Sequence, residues 1–308
     1  MFTSVRILNF DDSVVRQRKL IERFKPSVVD LTDLGPRYRL YSDEITSKKI
    51  SARIGPWQGG FVTFLGSGDF HHAASLILDE INDDISVISF DDHPDWDILP
   101  PKICCGSWVT RVLNKSNVKK VILMGATSGD ISPSIYRMGN YDSLKDDRVE
   151  VYPYQHRPTK IFFKKIPGNV SIDLERGLFY DEIRWHELKN ENIAKFFPCV
   201  LQRLPTKKVY ISIDKDCLKA PYSLTNWAPG HLELEELLLM LKLIKENAEI
   251  IGTDITGDRS TVKTAGFIRR MITAVNHPRD SNAKDSPQSL IDSVNEDTNI
   301  RILEILKQ

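Results

Sequence analysis

The sequence predicts an α/β protein in which helices cover a central, mostly parallel β-sheet. Short runs of β-branched and aromatic residues alternate along the chain with stretches suited to helices. Several of these runs are apolar almost throughout, as expected of strands buried on both faces, whereas strands with one exposed face alternate polar and apolar residues. The runs are FVTFL (61–65), ISVISF (85–90), KKVILMG (119–125), KKVYISID (207–214) and AEIIGTD (248–254).

The clearest predicted helix covers 232–246 (LELEELLLMLKLIKE), and its leucines can cover one face of the sheet. Residues 71–80 and the segment after Asp258 are further helix candidates. The charged, turn-rich run 276–289 predicts a flexible loop before a C-terminal helix at about 289–307. Residues 1–60, with RILNF and YRLYS as candidate strands, predict an edge or cap of one domain spanning 1–308.

Composition narrows the class of function. The 308 residues carry 42 Lys and Arg against 42 Asp and Glu, and 41% of them are hydrophobic. The mean hydropathy is -0.28. These values exclude disordered, collagen-like and coiled-coil chains, and a balanced charge gives no basic field for a nucleic-acid partner. We therefore expect a small-molecule or peptide ligand.

The expected location is the cytoplasm. The segment MFTSVRILNFDDSVV has charges too early for the apolar core of a signal peptide, and no run reaches the roughly 18 apolar residues of a membrane span. Cys104, Cys105, Cys199 and Cys217 lack the C-x-x-C spacing of a zinc site. We expect no membrane partner, disulfide or structural zinc, and interpret Cys104 and Cys105 as core or loop residues.

The most informative segment is SFDDHPDWD (89–97), which follows an apolar strand. Ligands bind at the carboxyl ends of strands in open α/β sheets. In extended backbone, the side chains of Asp91, His93 and Asp95 would point the same way, and Pro94 disfavours a helical conformation at His93. Two carboxylates with one imidazole suit a divalent cation such as Mn²⁺.

Two other segments complete this pattern. SIDKD (212–216) also ends an apolar strand and places Asp214 and Asp216 two residues apart. Carboxylates brought together in a buried cleft require cations, because burial and mutual repulsion both disfavour their charged forms. LGSGDFHH (65–72) offers either His71 or His72 as a ligand, with His71 preferred and His72 kept as a candidate catalytic residue; Asp69 is a candidate helix cap or partner for a ring N–H.

The three motifs, in this order, resemble those of the ureohydrolase superfamily, which includes arginase and agmatinase. Residues 66–72 approximate its G-G-D-H turn, 91–95 its D-A-H-x-D motif, and 212–216 its S-x-D-x-D motif. The resemblance implies a three-layer αβα fold with two Mn²⁺ per chain and a bridging hydroxide that attacks a guanidinium carbon. As metal ligands it implies His71, Asp91, His93, Asp95, Asp214 and Asp216.

The chain also departs from arginase. Arginases carry a histidine shortly after the D-A-H-x-D motif, and residues 98–111 (ILPPKICCGSWVTR) contain none, so a proton shuttle would have to be another group. The segment also offers no set of polar residues equivalent to the one that binds the amino acid's α-groups in arginases. Gly257 stands near the position of the family's substrate-binding glutamate, so the neighbouring Asp258 is our candidate substrate carboxylate, with a helix N-cap as the alternative. His231, in NWAPGH (226–231), is a candidate proton shuttle.

The leading hypothesis is a Mn²⁺-dependent hydrolase that releases urea from a guanidino compound or from peptidyl arginine, giving ornithine, rather than from free arginine. In this the chain is similar to peptide arginases. The alternatives are a non-catalytic dinuclear metal-binding protein, or a hydrolase of another linear amide or formimino C–N bond. A homo-oligomer is compatible with either class.

Overall fold

The main feature of the computed structural model, which describes residues 4–56, 59–134, 137–277 and 286–307, is an eight-stranded parallel sheet. Its strands run in the order β2-β1-β3-β11-β10-β4-β5-β6, and every paired neighbour is parallel. The strands are β1 (Ser4–Asn9), β2 (Ser27–Asp30), β3 (Phe61–Gly66), β4 (Ile85–Phe90), β5 (Val118–Met124), β6 (Val149–Tyr152), β10 (Lys208–Asp214) and β11 (Glu249–Thr256).

Helices cover both faces of this sheet. Val87 of β4 belongs to one buried apolar cluster and Ile88 to another, because successive strand residues point to opposite faces. The described helices are α1 (Arg18–Phe24), α2 (Gly35–Tyr38), α3 (Glu44–Ile54), α4 (Ala73–Asp79), α5 (Trp108–Leu113), α6 (Ile193–Gln202), α7 (Leu234–Asn247), α8 (Phe267–Asn276) and α9 (Gln288–Lys307). Helices α4 and α5 contribute to the first cluster, and α6, α7 and α9 to the second. The predicted three-layer αβα fold is confirmed.

The five apolar runs form β3, β4, β5, β10 and β11, and the leucine-rich run forms α7. All six residues of β4 are buried, which explains why its apolar run was sufficient to predict a strand buried on both faces. RILNF coincides with β1, whereas YRLYS is not a strand: Tyr38 ends α2, and only an isolated bridge joins Tyr41 to Cys104. β2 lies at one edge of the sheet.

Other predictions needed correction. No helix follows directly on Asp258, since residues 259–266 are irregular and α8 begins at Phe267. Residues 278–285 of the predicted loop lie outside the described residues, and α9 begins close to the predicted helix. The sequence also missed a small antiparallel sheet, ordered β7-β9-β8, whose short strands are partly exposed. Its strands are β7 (Thr159–Phe162), β8 (Ile172–Arg176) and β9 (Tyr180–Trp185).

The described helices include none that combines the length and the apolar character needed to cross a bilayer.

Candidate metal centre

The carboxyl ends of β4 and β10 lie side by side in the sheet, and each carries one of the acidic motifs. Ile213 of β10 pairs with Phe90 of β4, so Asp214 and Asp91 follow paired positions. Parallel strands place their carboxyl ends at the same edge, where ligands bind in open α/β sheets. The two motifs that are far apart in sequence therefore meet in one buried site.

The first group of potential ligands contains His71, Asp91 and Asp214. His71 Nδ1 lies 3.1 Å from Asp91 Oδ2, 3.1 Å from Asp95 Oδ2 and 3.7 Å from Asp214 Oδ2. All four side chains are buried. The structure thus brings one histidine and three carboxylates of the predicted set together.

The second group contains Asp91, His93 and Asp216. His93 Nδ1 lies 3.0 Å from Asp216 Oδ2 and 3.7 Å from Asp91 Oδ1. Asp91 therefore belongs to both groups, with Oδ2 facing His71 and Oδ1 facing His93. A carboxylate shared in this way is suited to bridge two cations.

The surroundings of these groups fit bound cations. His71 Nδ1 and Asp91 Oδ2 are buried, and neither has a hydrogen-bond partner within the described chain although they face each other. Among the described residues, the four predicted carboxylate ligands form ion pairs with histidines alone. These ligands are Asp91, Asp95, Asp214 and Asp216. Burial raises the pKa of Asp214 well above its usual value, and repulsion by Asp216 and Asp91 raises it further. Imidazole nitrogens with carboxylate oxygens suit a divalent ion such as Mn²⁺.

A buried chain of hydrogen bonds orients His71 as a potential metal ligand. Ser212 Oγ donates a hydrogen bond to Asp254 Oδ1 at 2.9 Å, and it lies 2.8 Å from His71 Nε2. Because the hydroxyl proton is used on Asp254, the hydroxyl oxygen is available to accept from Nε2–H. This tautomer leaves the lone pair of Nδ1 facing the carboxylates, as a ligand requires.

His72 occupies a different environment from its neighbour. Its ring stacks on Tyr38 with a centroid distance of 4.1 Å, and neither ring nitrogen has a hydrogen-bond partner among the described residues. Burial, followed by the charge of His71, lowers the pKa of His72 to about 3, so the ring is neutral. The structure brings His71 and not His72 to the carboxylates, and His72 does not line the cleft.

The side chains of 91–95 converge for a reason other than the extended backbone expected from sequence. β4 ends at Phe90, and Asp95 has a left-handed conformation with φ of 48°. Trp108 Nε1 donates to Asp95 Oδ2 at 2.8 Å, which holds the carboxylate toward His71. A tertiary contact with α5, and not a continued extended strand, therefore places Asp95 next to His71.

Five of the six predicted ligands, all except His71, line a cleft of about 230 Å³. Its walls are mainly apolar, and charged groups other than the predicted ligands are contributed by Asp97 and Arg137. The lining residues outside the ligand set include Leu40, Tyr41, Leu99, Pro100, Pro101, Cys104, Cys105, Trp227 and Ile272. A substrate can therefore reach the metal-binding groups through a largely apolar entrance.

Sequence reasoning missed several of these lining residues. Trp227 Nε1 donates to Asp69 Oδ1 at 3.0 Å, and its ring packs edge-on against His93 at 5.1 Å. Asp97 continues the alternate spacing of Asp91, His93 and Asp95, which was an unused signal. Cys104 also lines the cleft, but burial raises the pKa of its thiol to about 11, which is unfavourable for a nucleophile.

Asp258 is buried away from the cleft lining. Lys215 Nζ lies 2.9 Å from its Oδ1, Gln17 Nε2 donates to the same oxygen at 2.6 Å, and Asn299 Nδ2 does so at 3.1 Å. The carboxylate is thus occupied by protein groups, and no helix begins there for it to cap. Its surroundings indicate a structural ion pair instead of the predicted contact with substrate.

His231 is exposed and also lies outside the cleft lining. Its Nδ1 is 3.3 Å from Thr127 Oγ1, and its ring stacks on Tyr154 at 6.2 Å. Thr127 in turn donates to Asp92, a buried residue whose backbone N–H donates to Asp216. Among the described residues, this chain of contacts connects His231 to the predicted ligand Asp216.

Comparison of the sequence with known proteins found a distant relative. No family model matches the chain. An uncharacterized protein of Thermotoga maritima is 24% identical over 256 residues, which is 82% of this chain and 79% of that protein.

Similar solved structures cover almost the whole chain. An arginase from Bacillus subtilis matches with a TM-score of 0.56 and 14% identity over 99% of this chain and 98% of its own. The Entamoeba histolytica arginase in complex with L-ornithine matches with a TM-score of 0.57 and 10% identity over the same shares. Proclavaminate amidino hydrolase from Streptomyces clavuligerus gives 0.51 and 11% over 96% and 91%. The chain therefore has the fold of the ureohydrolase superfamily, which its sequence motifs predicted.

Proposed function

We propose that the chain is a hydrolase that uses two Mn²⁺ ions to cleave a guanidino C–N bond and release urea. The observation that supports this most directly is the position of Asp91 between His71 and His93, since it joins two potential cation sites at the carboxyl edge of the sheet. Two of the similar structures are arginases and one is an amidino hydrolase. Hydrolysis of a guanidino group is the activity most consistent with both fold and site.

Each residue of the site has a distinct role in this proposal. Asp91, which faces both His71 and His93, would help to hold both cations, while the Ser212 contact keeps His71 in the tautomer whose Nδ1 could bind one. A bound pair of divalent cations would lower the pKa of a shared water and stabilise negative charge that develops during hydrolysis. The apolar cleft walls, including Trp227 and Leu40, reduce the access of other water molecules and so strengthen electrostatic interactions with the substrate.

The cleft also supports the choice of substrate. The part of 98–111 that lines it carries no charged side chain. Nearby, Asp97 is half-buried, and its Oδ1 accepts hydrogen bonds from the N–H groups of Leu99 and Met138. A carboxylate here repels the α-carboxylate of free arginine and attracts an amine. Arg137 lines the same cleft, but it is ion-paired with Asp130, which offsets its charge.

Urea release tests this function. With Mn²⁺ present and at equal concentrations, we expect more urea from agmatine or from an arginine-containing peptide than from L-arginine or 4-guanidinobutyrate. Asp97→Asn keeps the shape and removes the charge, so it should shift the ratio of kcat/KM values toward L-arginine. Rapid hydrolysis confined to L-arginine in the unmodified protein would contradict the proposed substrate but retain the enzyme.

A metal-binding protein without turnover is the second candidate. Among the described residues that line the cleft, His93 is the one histidine. The lining therefore offers no second imidazole as a proton shuttle, which favours this candidate. Two bound Mn²⁺ per chain without urea from any of the four compounds would support this candidate or a hydrolase of another C–N bond. A cytoplasmic location and a homo-oligomer stay predictions.

A further inference from the structure

Helix α8 packs against the protein through a polar side. Arg269, Thr273 and His277 follow one another at intervals of four residues and are largely buried. Arg269 Nη1 donates to the carbonyl oxygens of Arg39 and Tyr41, and His277 Nε2 lies 2.8 Å from Asp69 Oδ1. Residues four apart share a helix face, so the face directed into the protein is the polar one.

The opposite side of α8 is apolar and exposed. Phe267 is 74% exposed, Ile268 69%, Met271 54% and Val275 84%. A surface helix usually directs its apolar side inward and its polar side to water, and α8 does the reverse. Contiguous exposed apolar side chains are typical of surfaces that contact another molecule. We call these four residues the α8 surface.

The α8 surface is continuous with the entrance of the cleft. Ile272, between Met271 and the buried Thr273, lines the cleft itself. Leu99 and Pro100 line the same cleft, and the adjacent Ile98 is 41% exposed. A molecule whose reacting group lies in the cleft can therefore extend over apolar side chains without leaving the protein surface.

The segment that carries this surface has charges of one sign, although the exposed Asp43 interacts electrostatically with Arg269. Residues 259–277 contain four lysines and arginines and no acidic residue. Arg269 is buried, whereas Lys263 and Arg270 are exposed beside the α8 surface. Lys102, which follows Pro101 of the cleft lining, is also exposed. Exposed cations around an apolar surface favour a partner that combines apolar and acidic groups.

We propose that the α8 surface binds a polypeptide substrate in which apolar and acidic residues lie next to the arginine that enters the cleft. The inference rests on the proposed function, and it names the substrate class. The ten residues of α8 span about 15 Å, which is the reach of about five residues of extended chain. A free amino acid cannot contact both the metal centre and this surface, whereas a peptide can.

Binding of a labelled peptide to the Mn²⁺-loaded protein tests the proposal. The probe is a fluorescein-labelled peptide of about ten residues with one arginine followed by alternating leucine and glutamate. A matched peptide has serine in place of each leucine. We expect fluorescence anisotropy to show binding of the leucine peptide and at least about tenfold weaker binding of the serine peptide.

Variants separate the α8 surface from general hydrophobicity. The double variant Met271→Glu with Val275→Glu should weaken binding of the leucine peptide about tenfold. Leu178→Glu is the matched control, because Leu178 is 89% exposed and lies next to the small antiparallel sheet. It should leave binding unchanged. Urea release from agmatine should be the same in all three proteins, since none of these residues lines the cleft.

Several outcomes would overturn the proposal. Among them are undetectable binding of the leucine peptide, equal binding of the two peptides, and equal weakening by Leu178→Glu. An oligomer that dissociates in the double variant would assign the α8 surface to a second copy, and binding to anionic vesicles in place of peptide would assign it to a lipid surface. Peptide binding that depends on α8, without urea from any compound, would instead retain this inference and reject the proposed reaction.

Discussion

A buried glutamate and a buried group of aspartates in this protein differ in what neutralises their charge. Glu150 of β6 is completely buried and contacts Lys120 Nζ at 2.5 Å and Arg203 Nη2 at 3.1 Å. Burial by itself raises the pKa of Glu150, but hydrogen bonds from Arg203, Lys120 and Tyr152 outweigh it and lower that pKa below its usual value. This carboxylate is charged and paired within the chain.

The carboxylates of the metal centre have no such partners among the described lysines and arginines. Burial, followed by the negative charge of Asp91, raises the pKa of Asp216, and that of Asp214 is raised for the same kind of reason. Buried carboxylates without cations are costly unless they bind protons or metal ions. The comparison indicates that Glu150 is neutralised within the chain, whereas the carboxylates of the candidate metal centre lack a lysine or arginine partner among the described residues.

The largest effect is expected from Asp91→Ala, which removes the carboxylate shared by both ligand groups. We expect loss of both metal ions and of urea release. Mn²⁺ at 100 times its dissociation constant stabilises a binding protein by about 2.7 kcal/mol, and the variant should lose this gain. Elemental analysis measures the metal content, and thermal unfolding with and without Mn²⁺ measures the stabilisation. Asp173→Ala, at an exposed carboxylate, is the control. Two Mn²⁺ per chain retained in Asp91→Ala would refute the assigned site.

Glu150→Gln tests the other half of the comparison. It leaves the ammonium of Lys120 buried without an acidic partner, which is expected to cost about 3–5 kcal/mol of folding free energy. Metal content of the folded protein should not change. The control is Glu175→Gln, which breaks an exposed pair with Arg184 and should cost less than about 1 kcal/mol. Equal costs in the two variants would show that burial of the pair does not matter.

Asp258→Asn separates a structural ion pair from a substrate contact. Lys215 is fully buried, so loss of its partner should lower the free energy of unfolding by about 3 kcal/mol. Because Asp258 does not line the cleft, KM for the preferred substrate should stay the same. An increase in KM at unchanged stability would restore the role predicted from sequence.

A smaller and graded effect is expected from pH. The pKa of Asp254 and that of Asp92 are each raised to about 6, chiefly by burial. Both pKa values are higher in the folded protein than in the unfolded chain. Protonation of Asp92 and Asp254 therefore stabilises the metal-free protein at low pH, and this stabilisation is lost as pH rises from about 4 to 6. The pKa values of the predicted ligands Asp214 and Asp216 are raised as well, so protons compete with metal more strongly at the lower pH. The increase in melting temperature caused by Mn²⁺, relative to EDTA, should be greater at pH 7 than at pH 5; an equal increase at both would contradict the pKa shifts.

The smallest effect is expected from His231→Ala. The ring is exposed, so stability should change by no more than about 0.5 kcal/mol. Without a place in the cleft lining, His231 should also leave kcat unchanged. A fall in kcat of about 10²-fold or more, with a changed pH profile, would instead identify it as the proton shuttle.

The fold and the positions of the acidic motifs were predictable because they depend on short-range patterns. An apolar run such as 85–90 is sufficient to indicate a strand buried on both faces, and acidic residues that follow two parallel strands must meet at one edge. Residues 212–216 were identified in the same way. Short, half-exposed strands such as β7 carry no comparable signal, and the small sheet was missed.

Sequence alone predicted an α/β protein with carboxylates and histidines at the carboxyl ends of three strands, β3, β4 and β10. Tertiary structure decided which of these groups are available: Tyr38 covers His72 and leaves His71 to the metal centre, and Lys215 occupies Asp258. It also reversed the expected orientation of α8, because Arg269 and His277 find partners inside while the apolar side stays in water. The reason is that residue type sets what a side chain can bind, whereas its protonation, partners and exposure depend on neighbours that are distant in sequence.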